Sequence, residues 1–415
     1  MKQAYTQPNR RSIAYISVLG TTQLHLRSPL IVALWSAVFP GFGHLLMCKY
    51  LMGFLLIIWE VFINLKANIN LLILYSFIGD FEKAKSVIDI QWIMLYIPTY
   101  IFAIWDSYRT TVDINQHYIL ATREDAEIKP FKLNTLGINY LDKRKPWVSA
   151  AWSALMPGSG HLYIQRIITA FFVIAWWVLV VYLSKMLPAL YYIFSGDFQQ
   201  AKAVLNMRWF LNVPSIYLFT IYDAYANTVE NNKLFDWEES KFLKRDYQNS
   251  NFKIPINHVA GDHMYIFSTF KHSKSLELAI TAIQMKGIKK HNIFAVPMDK
   301  ISDDTVLFDS IHRADGVSTL DVAALLAAFL GIFGCIYGFI LEWGPLLWGL
   351  IGIAAGIVLG LIIKYFTVKN YNSRQKYVNN TEVILIIECT ENQIEMVKEM
   401  LWSHHAFGVG KLDLN

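Results

Sequence analysis

The sequence predicts a polytopic α-helical membrane protein: a tandem repeat of a broken or re-entrant helix plus two transmembrane helices, then a small α+β domain split by a transmembrane helical hairpin. Three observations predict it. Of 415 residues, 54% are hydrophobic and 17% charged, against about 25% charged in an ordinary soluble domain. Val322–Leu341 carries no charge over 20 residues and Leu346–Ile363 none over 18, close to the roughly 20 residues that cross a hydrocarbon core. The stretch Arg27–Lys49 recurs at Arg144–Arg166, 117 residues later.

The net charge of +5 comes from basic residues that cluster beside apolar segments, the pattern of the positive-inside rule. They lack the aromatic interleaving of a nucleic-acid surface, so the partner implied is the lipid bilayer and no nucleic acid. Cys48, Cys335 and Cys389 are odd in number and show no metal-ligand spacing, which argues against a disulfide framework. Near the N-terminus, Ile13–Leu19 is short and broken by Ser17. It makes no signal-peptide core, so the first membrane segments are expected to direct insertion, in a bacterial cytoplasmic (inner) membrane.

Within the repeat, 11 of 23 aligned positions are identical, among them Trp35/Trp152, Pro40/Pro157, Gly41/Gly158, Gly43/Gly160 and His44/His161. The same offset pairs Gly79-Asp80-Phe81 with Gly196-Asp197-Phe198, Trp92 with Trp209 and Asp106 with Asp223. Self-similarity at one fixed offset marks repeated structural units. Each repeat has three apolar parts: about Leu30–Met47, Leu51–Leu65 and Ile90–Trp105 in the first, and Trp147–Ile164, Ile167–Leu183 and Phe210–Tyr222 in the second. Pro-Gly-x-Gly-His breaks the first part of each, because proline removes a helix donor and glycine permits positive φ. Between the second and third parts lies a loop holding Gly-Asp-Phe and the short amphipathic stretches Phe81–Ile88 and Phe198–Leu205, with Asp80 and Asp197 as turn or cap residues.

Sidedness follows from lysine and arginine. Lys2, Arg10, Arg11 and Arg27 precede the first repeat, Lys129, Lys132 and Lys143–Lys145 the second, and Lys233, Lys241, Lys244 and Arg245 follow it. Placing all of them in the cytoplasm requires an even number of crossings per repeat. The broken part is then a re-entrant hairpin; full spanning, with inverted halves, is the alternative.

Gly41–Leu46, Gly158–Tyr163 and the later Trp105–Tyr108 and Tyr222–Tyr225 resemble the TM2-domain family of small two-helix membrane proteins. The resemblance covers parts of both repeats and implies a membrane protein without a defined chemistry.

From about Gln248 the composition turns soluble. Met264–Phe270 and Ile293–Pro297 read as strands flanking a helix over Ser275–Lys286, with Leu276, Ala279, Ile280 and Ile283 on one face. After the apolar hairpin, Glu382–Cys389 reads as a central strand, Thr390 with Gln393 as a capping box, Gln393–Trp402 as a helix and Val409–Leu414 as a last strand. This order resembles a ferredoxin-like fold with two membrane helices inserted at its centre. The layout is similar to the membrane-hairpin subunit family of bacterial alternative complex III and to small general-stress proteins of Gram-positive bacteria. In the hairpin, Gly334 and Gly338 on one helix and Gly352, Gly356 and Gly360 on the other recur every four residues. That spacing lets backbones approach closely, within this chain or against another.

The expected organisation is a cytoplasmic tail (1–26), a first membrane repeat (27–116), a cytoplasmic linker (117–143), a second repeat (144–233) and a linker (234–261). The ferredoxin-like domain, also cytoplasmic, occupies 262–318 and 368–415 around the hairpin at 319–367.

Candidate polar residues are His44 and His161 at the breaks, Asp106 and Asp223 near the ends of the third parts, and Glu60 within the first repeat, where the second has Trp177. Ionisable groups at membrane depth are expensive and often functional. Converging, the two imidazoles and two carboxylates would relay protons or hold an ion; apart, each histidine would simply tie its broken helix to its aspartate. No nucleophile elbow, phosphate loop, dinucleotide fingerprint or haem- or cluster-binding cysteine set occurs. The sequence therefore points away from an enzyme and names no cofactor and no metal. The reading is a membrane scaffold with a cytoplasmic interaction or regulatory domain, acting as a homo-oligomer or with a membrane partner protein. The alternatives are a transporter or channel component with a path between the repeats, and a membrane subunit of a redox complex.

Overall fold

The computed structural model describes residues 10–248, 263–298, 319–369 and 382–412. Lys2, the linker residues after Gln248, the stretch 299–318, residues 370–381 and the last residues of the final strand lie outside the described residues. The described residues fall into two compact units. The first lies within Met1–Asn139, Lys145–Val229 and Thr305–Asn372, the second within Tyr140–Arg144, Glu230–Asp304 and Ser373–Asn415.

In the helical unit, one order of elements occurs twice at the 117-residue offset. A hairpin of strands Ala14–Ser17 and Gly20–Gln23 has its counterpart in Phe131–Asn134 and Gly137–Tyr140. Then come Pro29–Val38 (Pro146–Leu155), the short Phe42–Leu46 (Ser159–Tyr163), Tyr50–Ala67 (Ile167–Ser184), Ile69–Phe77 (Met186–Phe194) and Phe81–Val87 (Phe198–Val204). Long helices close the series: Ile90–Glu124, and Met207–Phe210 followed by Val213–Tyr247. We refer to these series as the first and second segments.

Local chemistry explains the breaks. Pro29 and Pro146 open their helices at the first turn, where a missing N–H costs nothing. Phe39 and Met156 leave the helix in extended conformation, and Gly41 and Gly158 both turn at φ +100°. A Cβ on Gly41 would lie 3.1 Å from the Ile57 backbone nitrogen, and one on Gly158 2.9 Å from the Ala170 carbonyl oxygen. Only glycine satisfies both the torsion and the close approach. Cys48 and Gln165, and then Asn68 and Lys185, take left-handed conformations at matched positions. Asp80 accepts from the Lys83 N–H and Asp197 from the Gln200 N–H, the cap role expected of an aspartate after glycine.

Three features differ from the sequence reading. The residues read as the N-terminal tail and as the linker between the repeats contain the β-hairpins. The outer loop contains the nine-residue helices Ile69–Phe77 and Met186–Phe194. The third apolar parts extend into helices reaching Glu124 and Tyr247, far beyond Trp105 and Tyr222, because helix continues after hydrophobicity ends.

Among the described residues four helices are long and apolar enough to cross a membrane: Tyr50–Ala67, Ile167–Ser184, Leu320–Gly338 and Gly344–Ile363. A fifth arises if Phe81–Val87 and Ile90–Glu124, bent by 93°, count as one span. These are the features of a multi-pass helical membrane protein. The hairpin helices Thr319–Gly338 and Gly344–Lys369 pack along their glycine seam. A Cβ at Gly352 would run into the Leu330 backbone, at Gly356 into Ala327, at Gly360 into Ala323, at Gly334 into Trp348 and at Gly338 into Pro345. All five glycines thus serve contact within this chain.

The second unit holds a four-stranded antiparallel sheet with spatial order Ile293–Pro297, Val383–Thr390, His263–Phe270, Gly408–Leu412. Pro297 sits on an edge strand, where its missing donor is tolerated. Helices Lys274–Met285 and Ile394–Ser403 bury Leu276, Ala279, Ile280, Ile283, Val397 and Leu401 against the sheet core of Ile266, Leu385 and Ile387. The Thr390–Gln393 capping box forms as the sequence predicts.

Candidate functional site

The structure brings the predicted histidines and aspartates together in pairs, one pair per segment. His44 Nε2 lies 3.1 Å from Asp106 Oδ2, and His161 Nε2 lies 2.9 Å from Asp223 Oδ2. Gly43 and Gly160 make this possible. They sit where a Cβ would reach Ser107 or Ala224 of the long helix at 3.1 and 3.0 Å, so the short helix bearing each histidine lies directly on it. Pro40 and Pro157 stand beside the turn that aims it. In a neutral imidazole Nε2–H donates to the carboxylate and Nδ1 remains an acceptor; both Nδ1 atoms are buried without a protein partner.

Two further ties recur at the offset, and the sequence reading missed both. Tyr100 Oη donates to the Ala37 carbonyl at 2.7 Å, and Tyr217 Oη to the Ala154 carbonyl at 2.8 Å. Each meets a carbonyl that the end of the broken helix leaves open. Asn115 accepts from the Arg27 N–H at 3.0 Å and donates to the Arg27 carbonyl at 2.8 Å; Asn232 does the same to Arg144 at 2.8 and 2.7 Å. Extending the alignment past Asp106 would have found Asn115/Asn232, since the offset still holds there, with Thr111-Val112 matching Thr228-Val229.

The surroundings of the pairs differ. The Asp106 side chain is 17% exposed, that of Asp223 1%. Arg27 and Arg166 are buried and act electrostatically on Asp223. Arg166 donates to the Thr21 carbonyl at 3.4 Å and to Cys48 Sγ at 3.3 Å, and lies over the Tyr50 ring. Its counterpart Lys49 donates to Thr110 at 3.2 Å instead. Several polar atoms here have no protein partner: Asp223 Oδ1, both Asn227 side-chain polar atoms, Arg27 Nη2, and Arg166 Nε and Nη1.

Glu60 is buried away from the histidine pairs. Its carboxylate lies 3.5 Å from Asn64 Nδ2 and 3.4 Å from Tyr96 Oη, and Asn64 goes on to Asn70 at 3.1 Å. Another buried tie, absent from the sequence reading, joins the hairpin to the second segment: Tyr222 Oη donates to Asp321 at 2.5 Å. Among the described residues no three His, Cys, Asp or Glu side chains gather as a group that could hold a metal ion. Comparison with protein-family profiles, curated proteins and solved structures finds no match.

Proposed function

We propose that the chain is a non-enzymatic scaffold of the bacterial cytoplasmic membrane, built from a duplicated segment and carrying a cytoplasmic interaction or regulatory module. The single observation that carries this reading is the recurrence of three polar ties at one offset: tyrosine to carbonyl, histidine to aspartate, and asparagine to backbone. Each fixes a broken helix or its approach to a long helix. Groups that are expensive in lipid are used to hold a shape. In this reading the broken parts are re-entrant from the cytoplasm, and the sheet module is ferredoxin-like, a reading supported by its strand order.

Reconstitution into proteoliposomes tests the proposal. Replacing His44 and His161 together by alanine is expected to lower the melting temperature, with no passage of protons or cations in either protein. Flux that vanishes in the double variant would overturn it. That result would favour the second reading, a transporter component. The observation behind this alternative is the set of unpartnered polar atoms around Asp223, since buried groups without protein partners mark space for water or a solute.

A further inference from the structure

The two segments do not meet symmetrically. Trp35 of the first stacks on Tyr222 of the second at 5.2 Å and meets Phe219 edge-on at 5.3 Å. Phe54 of the first stacks on Phe172 of the second at 4.0 Å. Asn70 of the first bonds Asn212 of the second at 3.2 Å and the Arg208 carbonyl at 2.7 Å. The first segment thus presents one face, formed by its broken helix and the residues after it, to a different face of the second, formed mainly by its long helix.

The counterpart of each partner, 117 residues away, is open. Trp35 and Tyr222 are 0% and 4% exposed, whereas Trp152 and Trp105 are 49% and 54% exposed. Phe102, the counterpart of Phe219, is exposed as well. For the Phe54–Phe172 contact the counterparts are Phe171 and Leu55, both exposed. Leu187 and Leu95 stand where Asn70 and Asn212 would be, and both are exposed. At that contact the asparagine pair has been replaced on both sides at once by leucine.

We propose that a second copy of this chain occupies these faces, setting the Trp152 face of one chain on the Trp105 face of the other and repeating between chains the contact made within each. The interface is heterologous; where the rotation closes it makes a ring, and two chains then give four segments around the axis. Lipid tails can cover apolar side chains within the spans, but Phe131 and Leu133 lie on the second β-hairpin, outside every candidate span, and are exposed. Their counterparts Ala14 and Ile16 are buried. The inference holds whether the helical unit scaffolds or conducts.

The test uses two full-length chains with different tags, one carrying Trp152→Cys and the other Trp105→Cys, co-expressed and treated in native membranes with a bifunctional maleimide long enough to replace the two aromatic side chains. A cross-linked species bearing both tags is expected, and none when either cysteine is missing. Absence of that species, or equal cross-linking in the single-variant controls, overturns the proposal. A second measurement needs no cysteine. Wild-type protein released from lipid nanodiscs into a mass spectrometer is expected at twice the 47.8 kDa chain or a higher multiple. Trp152→Ala with Phe171→Ala is expected to reduce that fraction at least tenfold while circular dichroism stays unchanged. A monomeric wild type, or a variant that assembles equally well, overturns it.

Discussion

The two segments share their backbone breaks and their polar ties, yet they bury them unequally. His161–Asp223 is closed off beside two buried guanidinium groups, while the carboxylate of His44–Asp106 keeps contact with the surface. The difference arises from neighbours and not from the motif. The first segment covers the second with its β-hairpin, Trp35 and Phe54, whereas the matching residues Phe102 and Trp105 of the first segment are exposed among the described residues. A repeated sequence therefore sets equal local geometry, and position in the assembly decides how much each tie is worth.

Removing the carboxylates should expose that inequality most strongly. Asp223→Ala leaves the buried His161 without its partner and removes the negative charge that acts on Arg27 and Arg166, a loss on the order of 4 kcal/mol for breaking a buried pair. Asp106→Ala loses one partly exposed hydrogen-bonded pair, about 1 kcal/mol. Denaturant unfolding of the two variants in the same micelle gives the comparison. Equal losses would show that the burial difference has no energetic consequence.

Where the segments are alike, the variants should agree. Gly41→Ala and Gly158→Ala each force a non-glycine residue to φ +100° and press a methyl against backbone. The strain and overpacking together cost about 3 kcal/mol in each case. A difference between them larger than about 1 kcal/mol would mean that one break relaxes and the other cannot.

Asn70→Leu probes the contact between the segments by installing the residue that stands at position 187. The change leaves Asn212 Oδ1 and the Arg208 carbonyl without the Asn70 Nδ2 donor, at a cost of about 2 kcal/mol. No loss of melting temperature would show that the contact rests on its aromatic members alone.

Much of this was legible because repetition is visible without knowing what it builds. The breaks at Pro40-Gly41 and Pro157-Gly158, the caps at Asp80 and Asp197, and the capping box at Thr390 follow from local chemistry. The β-hairpins escaped because Ala14–Ser17 and Gly20–Gln23 are four-residue strands without alternation long enough to register. Ile69–Phe77 reads as loop because a helix of nine residues, even a mostly apolar one, is too short to span a bilayer. The long helices were cut short because hydropathy reports where lipid ends, and the helix stops only at left-handed Asp125. Arg27 reads as one of the cytoplasmic charges, since one sequence does not reveal that the fold will bury Arg27 and Arg166.

A third histidine–carboxylate pair, outside the spans, sharpens the comparison by titrating. In the sheet unit His272 Nδ1 lies 2.7 Å from Glu239 Oε2. Burial, opposed by the histidine and aided by Glu277 and Asp236, pushes the Glu239 carboxyl up to about 7. Its folded value lies above that of the unfolded chain, so the folded state binds a proton that the unfolded state releases between about 4.5 and 7. The contribution is present at low pH and disappears as pH rises through about 7. Between pH 6 and pH 8 the sheet unit should lose on the order of 1 kcal/mol, read by hydrogen exchange at Ile266 and Ile387. Glu239→Gln should remove that dependence while leaving the ties at Asp106 and Asp223 untouched. A pH dependence that persists unchanged in Glu239→Gln would mean that another group, and not this carboxylate, carries it.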